Sequence, residues 1–111
     1  MNYLQVLALS ELPEQGFKAV DVNGTSVLVG RIKGQPFAFV DRCPHAGAPL
    51  RVGKLRGDEL TCARHGWTFD VLTGETVPSH PAFHLMQCPV KIEGSKVLII
   101  PPTKLSRGFP S

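Results

Sequence analysis

The sequence predicts an all-β protein, built as a small antiparallel sandwich or barrel. Runs of β-branched and aromatic residues flank Asn23-Gly24, Lys33-Gly34 and Glu93-Gly94, and such dipeptides favour the tight turns of β-hairpins. No window of eleven or more residues has apolar side chains at helical spacing, and 10 prolines and 11 glycines interrupt the 111 residues. We therefore expect a single all-β domain over residues 1–111, since a chain of this length suits one modest core.

The predicted strands form an early and a late group. The early group comprises MNYLQVLALS, the two runs of KAVDVNGTSVLVGRI and the run in GQPFAFVD, and the late group comprises the two runs of LMQCPVKIEGSKVLII. Between them, residues 41–82 are dense in Pro, Gly, Cys and His, with short strands in DELTC and WTFDV. We expect this segment to be a small subdomain inserted into the β-framework. The polar tail, residues 101–111, is expected to be loosely held.

Composition and charge exclude several classes of function. The net charge is +3 and the basic residues are scattered, which does not favour nucleic-acid binding, although an acidic docking partner stays open. No segment approaches the ~20 apolar residues of a membrane span. The first residues lack the basic region of a signal peptide, and three cysteines do not suit a secreted disulfide framework. We expect a cytoplasmic protein.

Two short loops each contain one cysteine and one histidine. Cys43-x-His45 is followed, after sixteen residues, by Cys62-x-x-His65. Pro44 and the nearby glycines bend the backbone, so each loop can present a thiolate and an imidazole to one point. A tetrahedral zinc site could use the same four side chains, but zinc modules usually pair cysteine with cysteine and histidine with histidine. Mixed loops suit a two-iron cluster in which one iron takes both cysteines and the other takes both histidines.

The pattern Cys43-x-His45 with Cys62-x-x-His65-Gly66 resembles the Rieske [2Fe–2S] signature, C-x-H…C-x-x-H-G. The likeness extends through WTFDVLTGE and the predicted hairpin CPVKIEGSKVLII. In size and organisation the chain resembles the free-standing Rieske ferredoxins of bacterial multicomponent oxygenases. The resemblance implies the Rieske fold, an antiparallel β-framework with an inserted cluster-binding subdomain.

The resemblance also implies one [2Fe–2S] cluster per chain. Cys43 and Cys62 would hold the inner iron, and His45 and His65 would hold the outer, solvent-facing iron. A third, proline-containing loop, VPSHPAF, would cover the cluster. The positions implied to support or cover the cluster are Pro44, Gly47, Gly66, Trp67, Pro78 and Pro81.

Four positions predict a low reduction potential. Respiratory Rieske proteins carry two further cysteines that form a disulfide, and here those positions are Ala48 and Arg64. They also carry a serine and a tyrosine that donate hydrogen bonds toward sulfur, and here those positions are Trp67 and Phe69. We expect a potential of roughly −150 mV, the low end of the Rieske range, rather than the +300 mV extreme.

The resemblance implies an electron carrier of aromatic hydrocarbon catabolism rather than an enzyme. Only His80 and His84 remain as further histidines, so we expect no mononuclear iron domain of the oxygenase kind. We expect a monomer whose partners are a flavin-dependent NAD(P)H reductase and a terminal oxygenase. Arg64 and His80 are the candidate docking residues. We expect Cys88 to be a buried thiol without a ligand role.

The class of oxygenase stays open between a ring-hydroxylating dioxygenase and a di-iron hydrocarbon monooxygenase. The segments HGWTF and HPAFHLMQCPV favour, weakly, the ferredoxins of toluene/alkene monooxygenases. Two other interpretations stay open: a small Rieske-like subunit of a nitrite reductase and, from a different class, a zinc-stabilised binding module.

Overall fold

The structure, a computed structural model, describes residues 2–44, 47–63, 66–80 and 83–102. The strands are β1 (Leu4–Ala8), β2 (Gly16–Val22), β3 (Thr25–Ile32), β4 (Gln35–Val40), β5 (Lys54–Arg56), β6 (Glu59–Thr61), β7 (Thr68–Asp70), β8 (Val90–Glu93) and β9 (Lys96–Ile99), and one turn of 3-10 helix covers Leu9–Glu11. They form three antiparallel sheets of three strands each, in the orders β1-β9-β8, β2-β3-β4 and β5-β6-β7. The all-β prediction is confirmed. No helix within these residues is long and apolar enough to cross a membrane.

The predicted hairpin turns form because their residues tolerate a positive φ angle. Asn23 and Gly24 have φ values of 54° and 87°, and Lys33 and Gly34 have φ values of 53° and 78°, as a type I′ turn requires. In the last hairpin Glu93 pairs with Lys96, so its two loop residues lie one position later than the dipeptide that predicts the turn.

In the central sheet, β2-β3-β4, strands β3 and β4 are buried on both faces over most of their length, which explains why they contain continuous apolar runs. Alternate side chains enter two separate cores. The first core contains Leu28, Ile32, Phe37, Phe39, Cys43, Ala48, Leu50, Leu60, Cys62, Phe69, Val71 and Leu85. The second core contains Leu7, Leu12, Val22, Val27, Val29, Ala38, Cys88, Val97 and Ile99. The first core lies between the central sheet and β5-β6-β7, and the second lies between the central sheet and β1-β9-β8.

Two strands deliver the predicted cysteine ligands to the first core. Cys43 follows the end of β4, in the central sheet, and Cys62 directly follows β6, in the third sheet. The third sheet is formed by residues within the segment 41–82, while the division of the chain into a framework and a subdomain stays a prediction. The part of the tail from residue 103 lies outside the described residues.

Cys88 lies in the second core, on the opposite side of the central sheet from the two loop cysteines. It is 5% exposed and forms no disulfide, and its backbone N–H donates to the carbonyl of Ala38 at 2.9 Å. Burial away from water raises the pKa of its thiol to about 11, because desolvation disfavours the thiolate. The prediction of a buried thiol is confirmed.

Candidate metal centre

The first cysteine loop, residues 43–48, is closed by two backbone hydrogen bonds at its cysteine. The N–H of Cys43 donates to the carbonyl of Ala48 at 2.8 Å, and the N–H of Gly47 donates to the carbonyl of Cys43 at 2.7 Å. Gly47 has a φ of 72°, a conformation that glycine adopts without steric cost. The sequence therefore turns sharply here because a glycine stands four residues after the cysteine.

The second cysteine loop, residues 62–67, repeats this pattern position by position. The N–H of Cys62 donates to the carbonyl of Trp67 at 2.7 Å, and the N–H of Gly66 donates to the carbonyl of Cys62 at 3.0 Å. Gly66 has a φ of 73°. The two loops are thus equivalent in length, in hydrogen bonding and in the position of the turn glycine.

Both loop cysteines enter the same apolar environment. Cys43 and Cys62 are each 1% exposed and both belong to the first core, with Leu50 and Leu60 among its other members. A pair of buried sulfur atoms at equivalent points of two matched loops fits the cysteine half of a Cys2His2 two-iron site. The donor set of the described residues is therefore compatible with the metal group that the sequence predicts.

The predicted site residues are only partly described by the structure. His45, His65, Arg64 and Pro81 lie outside the described residues. Within them, the predicted supporting positions are placed as follows: Pro44 and Gly47 in the first cysteine loop, Gly66 and Trp67 in the second, and Pro78 in the third loop, residues 77–83. The ligand assignment itself stays a prediction at this point.

Asp41 is a buried carboxylate that holds both ends of the first cysteine loop. Its Oδ1 accepts hydrogen bonds from the backbone N–H groups of Leu50 at 2.7 Å and Arg51 at 2.9 Å. Its Oδ2 accepts from the Ser26 hydroxyl at 2.8 Å and from Nη1 of Arg51 at 2.7 Å. The Asp41 side chain is 0% exposed, and it stands two residues before Cys43. Sequence reasoning missed this role, and its only signal was an acidic residue directly after the apolar run PFAFV.

The third loop packs against the second cysteine loop through aromatic rings. The ring centroids of Trp67 and Phe83 lie 5.0 Å apart at an interplanar angle of 80°, an edge-to-face contact. The His80 ring lies 5.8 Å from Trp67 and 5.1 Å from Phe83. The structure thus brings together Trp67 and His80, which the sequence singled out, and adds Phe83, which it did not.

A groove of about 560 Å³ opens beside the second cysteine loop. Its lining includes Val52, Lys54, Arg56, Glu59, Cys62 and Gly66. Val52 is 62% exposed, more than Tyr3, Leu4 or Val77. Two exposed cations and an apolar side chain therefore lie next to the predicted metal site.

Comparison with known proteins identifies the family. The Rieske [2Fe-2S] domain matches residues 2–91 of this chain. The ferredoxin component of the naphthalene 1,2-dioxygenase system of Pseudomonas aeruginosa is 33% identical over 88% of this chain and 94% of its own length. The ferredoxin component of the alkene monooxygenase system of Xanthobacter autotrophicus is 34% identical over 89% of this chain and 81% of its own length.

Solved structures agree with this assignment. A chain in the complex of reduced oxygenase and oxidized ferredoxin of carbazole 1,9a-dioxygenase has a TM-score of 0.76 and 31% identity, and the match covers 87% of this chain and 91% of that one. The similarity extends over nearly the whole fold and is not confined to the cysteine loops. The chain therefore belongs to the Rieske [2Fe–2S] family, among the ferredoxin components of oxygenase systems, and is an electron-transfer protein with one [2Fe–2S] cluster rather than an enzyme.

Proposed function

We propose that Cys43 and Cys62 bind the inner iron of the [2Fe–2S] cluster and that His45 and His65 bind the outer iron. The equivalence of the two cysteine loops carries this proposal, because each cysteine makes the same pair of backbone hydrogen bonds and each is 1% exposed in the first core. Two sulfur ligands at matched positions suit a single iron. The histidines, two and three residues further along, complete a Cys2His2 ligand set.

The chain's own residues create a dry, shaped site for this group. When bound, the cluster supplies a centre that gains and loses one electron. The apolar first core excludes water from the cysteine side, and the positive φ angles of Gly47 and Gly66 turn the two loops back toward the core. The proposed supporting positions are Pro44, Gly47, Gly66, Trp67, Pro78 and Pro81.

We place this ferredoxin between an NAD(P)H-dependent flavin reductase and a terminal oxygenase of aromatic or alkene oxidation. The ferredoxin–oxygenase complex of carbazole 1,9a-dioxygenase supports the oxygenase as a partner. The similar proteins serve both a dioxygenase and a monooxygenase system, so the class of oxygenase stays open between the two. We assign the exchange to the cytoplasm, where NAD(P)H is available, and expect a monomer.

Partner docking is proposed at the cluster end of the molecule. Lys54 and Arg56 lie on the same face of β5, since side chains two positions apart on a strand share a face. Together with Val52, they suit a partner surface that combines carboxylates with an apolar side chain. Arg64 and His80 stay docking candidates, and Arg64→Glu is expected to slow electron transfer at low salt. An unchanged rate would exclude Arg64 from docking.

We expect a low reduction potential because the disulfide and the tyrosine hydroxyl of respiratory Rieske proteins have no counterpart at Ala48 and Phe69. Phe69 is fully buried in β7 and has no hydroxyl, and Ala48 has no sulfur to form a disulfide. The Trp67 ring is engaged with His80 and Phe83. With fewer donors toward sulfur to stabilise the reduced cluster, we expect a potential of roughly −150 mV. A potential above about +100 mV in a redox titration would contradict this part of the proposal.

Phe69→Tyr tests the origin of that potential. The added hydroxyl lies on a ring at the position from which respiratory Rieske proteins donate a hydrogen bond, so the variant is expected to have a higher potential than the wild type. Both proteins are titrated spectroelectrochemically under identical conditions. Phe37→Tyr, on the central sheet, is the control and is expected to leave the potential unchanged.

The purified protein gives the primary test of the proposed site. We expect a red-brown protein whose visible spectrum bleaches on reduction, with two irons and two acid-labile sulfides per chain. A colourless protein with stoichiometric zinc would contradict the proposal and favour the binding module. Loss of iron in Cys43→Ala and Cys62→Ala, with full iron content in Cys88→Ala, would support the ligand assignment.

A further inference from the structure

Three aromatic side chains join the third loop to the second cysteine loop. We call Trp67, His80 and Phe83 the aromatic clasp. Trp67 and Phe83 meet edge to face at 5.0 Å, and both rings contact His80, at centroid distances of 5.8 Å and 5.1 Å. Aromatic pairs of this kind stabilise a structure beyond the burial of their area, so three mutual contacts can fix a short loop.

Two of the three clasp residues, His80 and Phe83, lie in the third loop, between two backbone anchors. At one end the N–H of Val77 donates to the carbonyl of Thr68 at 2.8 Å, and at the other the N–H of Leu85 donates to the carbonyl of Gly74 at 2.7 Å. Between these ends, the N–H of His80 donates to the Thr76 hydroxyl and the N–H of Phe83 donates to the carbonyl of His80 at 3.0 Å. These inner bonds shape the loop, while the rings attach it to Trp67.

Trp67 transmits this attachment to the predicted metal site. Its carbonyl accepts the hydrogen bond from the N–H of Cys62, and its side chain packs against the first core. The backbone of Trp67 therefore closes the second cysteine loop while its ring holds the third loop. Trp67 and Phe83 are half-buried and His80 is exposed, so the clasp forms the boundary between the core and water.

We propose that the aromatic clasp is a positioning device that holds the third loop against the second cysteine loop and so limits the access of water to the cluster, with Phe83 as its central residue. The inference rests on the proposed cluster ligation. Two ferric ions, two sulfides and two thiolates sum to zero charge, so the oxidised centre is neutral and the reduced centre carries one negative charge. Water stabilises the charged form more, so loosening the clasp raises the potential.

Phe83→Ala in the holoprotein tests the proposal, with Phe17→Ala as the matched control. Phe17 is a half-buried phenylalanine of β2 that packs against the same core but lies outside the clasp. The potential is measured by spectroelectrochemical titration, and loop opening by hydrogen–deuterium exchange of peptides that cover residues 76–85. For Phe83→Ala we expect an increase of about tenfold in the ratio of reduced to oxidised cluster at a fixed ambient potential, equivalent to 59 mV for one electron, with faster exchange of the loop peptides.

Conservative variants of Phe83 distinguish a role in positioning the third loop from a general effect on folding. Phe83→Tyr keeps the ring and is expected to restore both the potential and the exchange rate. Phe83→Leu keeps much of the volume without the ring and is expected to give a smaller shift of the same sign. It replaces Phe83→Ala as the test if that variant does not retain its cluster.

Different results would overturn the proposed function and the proposed role of the aromatic clasp. A wild-type protein without a [2Fe–2S] spectrum overturns the proposed function. A wild-type protein with the spectrum, but with an unchanged or lowered potential in Phe83→Ala, overturns the clasp alone, whether or not the loop peptides exchange faster. An equal upward shift in Phe17→Ala also overturns it, because the effect would then belong to the core in general.

Discussion

The two cysteine loops share one backbone geometry but are held in place by different kinds of interaction. Each has a cysteine N–H bonded to a carbonyl five residues on and a glycine with a φ near 72°. The first loop is held by the Asp41 carboxylate, and the second is held by the Trp67 ring in contact with the third loop. Local geometry is therefore set by the spacing of cysteine and glycine, while the surrounding support differs from loop to loop.

The largest expected effect is loss of the cluster, and we expect it to be the same for either cysteine loop. Cys43→Ala and Cys62→Ala are each expected to abolish cluster binding completely, since the proposed inner iron loses one of its two cysteine ligands in either case. Iron content and visible absorption of the purified variants provide the measurement. If one variant retained a full cluster, the equivalence of the loops would not extend to their ligand role.

Removing the Asp41 carboxylate, which supports the first cysteine loop, distinguishes that loop from the second. Asp41→Ala leaves the buried N–H of Leu50 and the partly buried N–H of Arg51 without their acceptor, so we expect the free energy of unfolding to fall by about 3 kcal/mol. Urea denaturation of the holoprotein measures this change.

Asp21→Ala is the control for Asp41→Ala. Asp21 is exposed and accepts one hydrogen bond, from the N–H of Gly24 at 2.8 Å, so its loss is expected to cost less than about 1 kcal/mol. A similar cost for both variants would show that burial of the Asp41 carboxylate does not support the first loop.

The smallest expected effect concerns the cysteine outside both loops. The pKa of the Cys88 thiol is raised from 9.0 to about 11 by burial, so the unfolded chain loses this proton at a lower pH than the folded one. The stabilisation from the neutral thiol is full below pH 9 and is lost as the pH rises to about 11, by about 2 kcal/mol.

The contribution of Cys88 is isolated by comparing wild type with Cys88→Ala. Other groups titrate in the same range, so the quantity of interest is the difference between the two unfolding free energies measured from pH 8 to pH 11. We expect this difference to shrink as the pH rises. A constant difference would show that the thiol ionises no later in the folded protein than in the unfolded chain.

Features that depend on neighbouring residues were predictable from the sequence. Asn23-Gly24 adopts its turn because both residues tolerate a positive φ, and the two cysteine loops match because each has a glycine four residues after its cysteine. The burial of Cys88 followed from its apolar position in a strand pattern.

Features that depend on distant contacts were not predictable. Asp41 reaches Ser26 across 15 residues, and Phe83 reaches Trp67 across 16 residues. Neither contact leaves a periodic signal, because the partners meet only after the three sheets have packed. The histidine half of the site lies outside the described residues and stays a prediction.

The placement of the two loop cysteines after strands of different sheets has a consequence for assembly. On the proposed ligation, one iron links residues 43 and 62 and closes the chain between them, which includes the β5–β6 hairpin. By loop-closure entropy, a cross-link over a segment of this length restricts the unfolded chain by about 3 kcal/mol. The cofactor would then cross-link the central and third sheets, and cluster insertion would complete folding as well as confer redox activity.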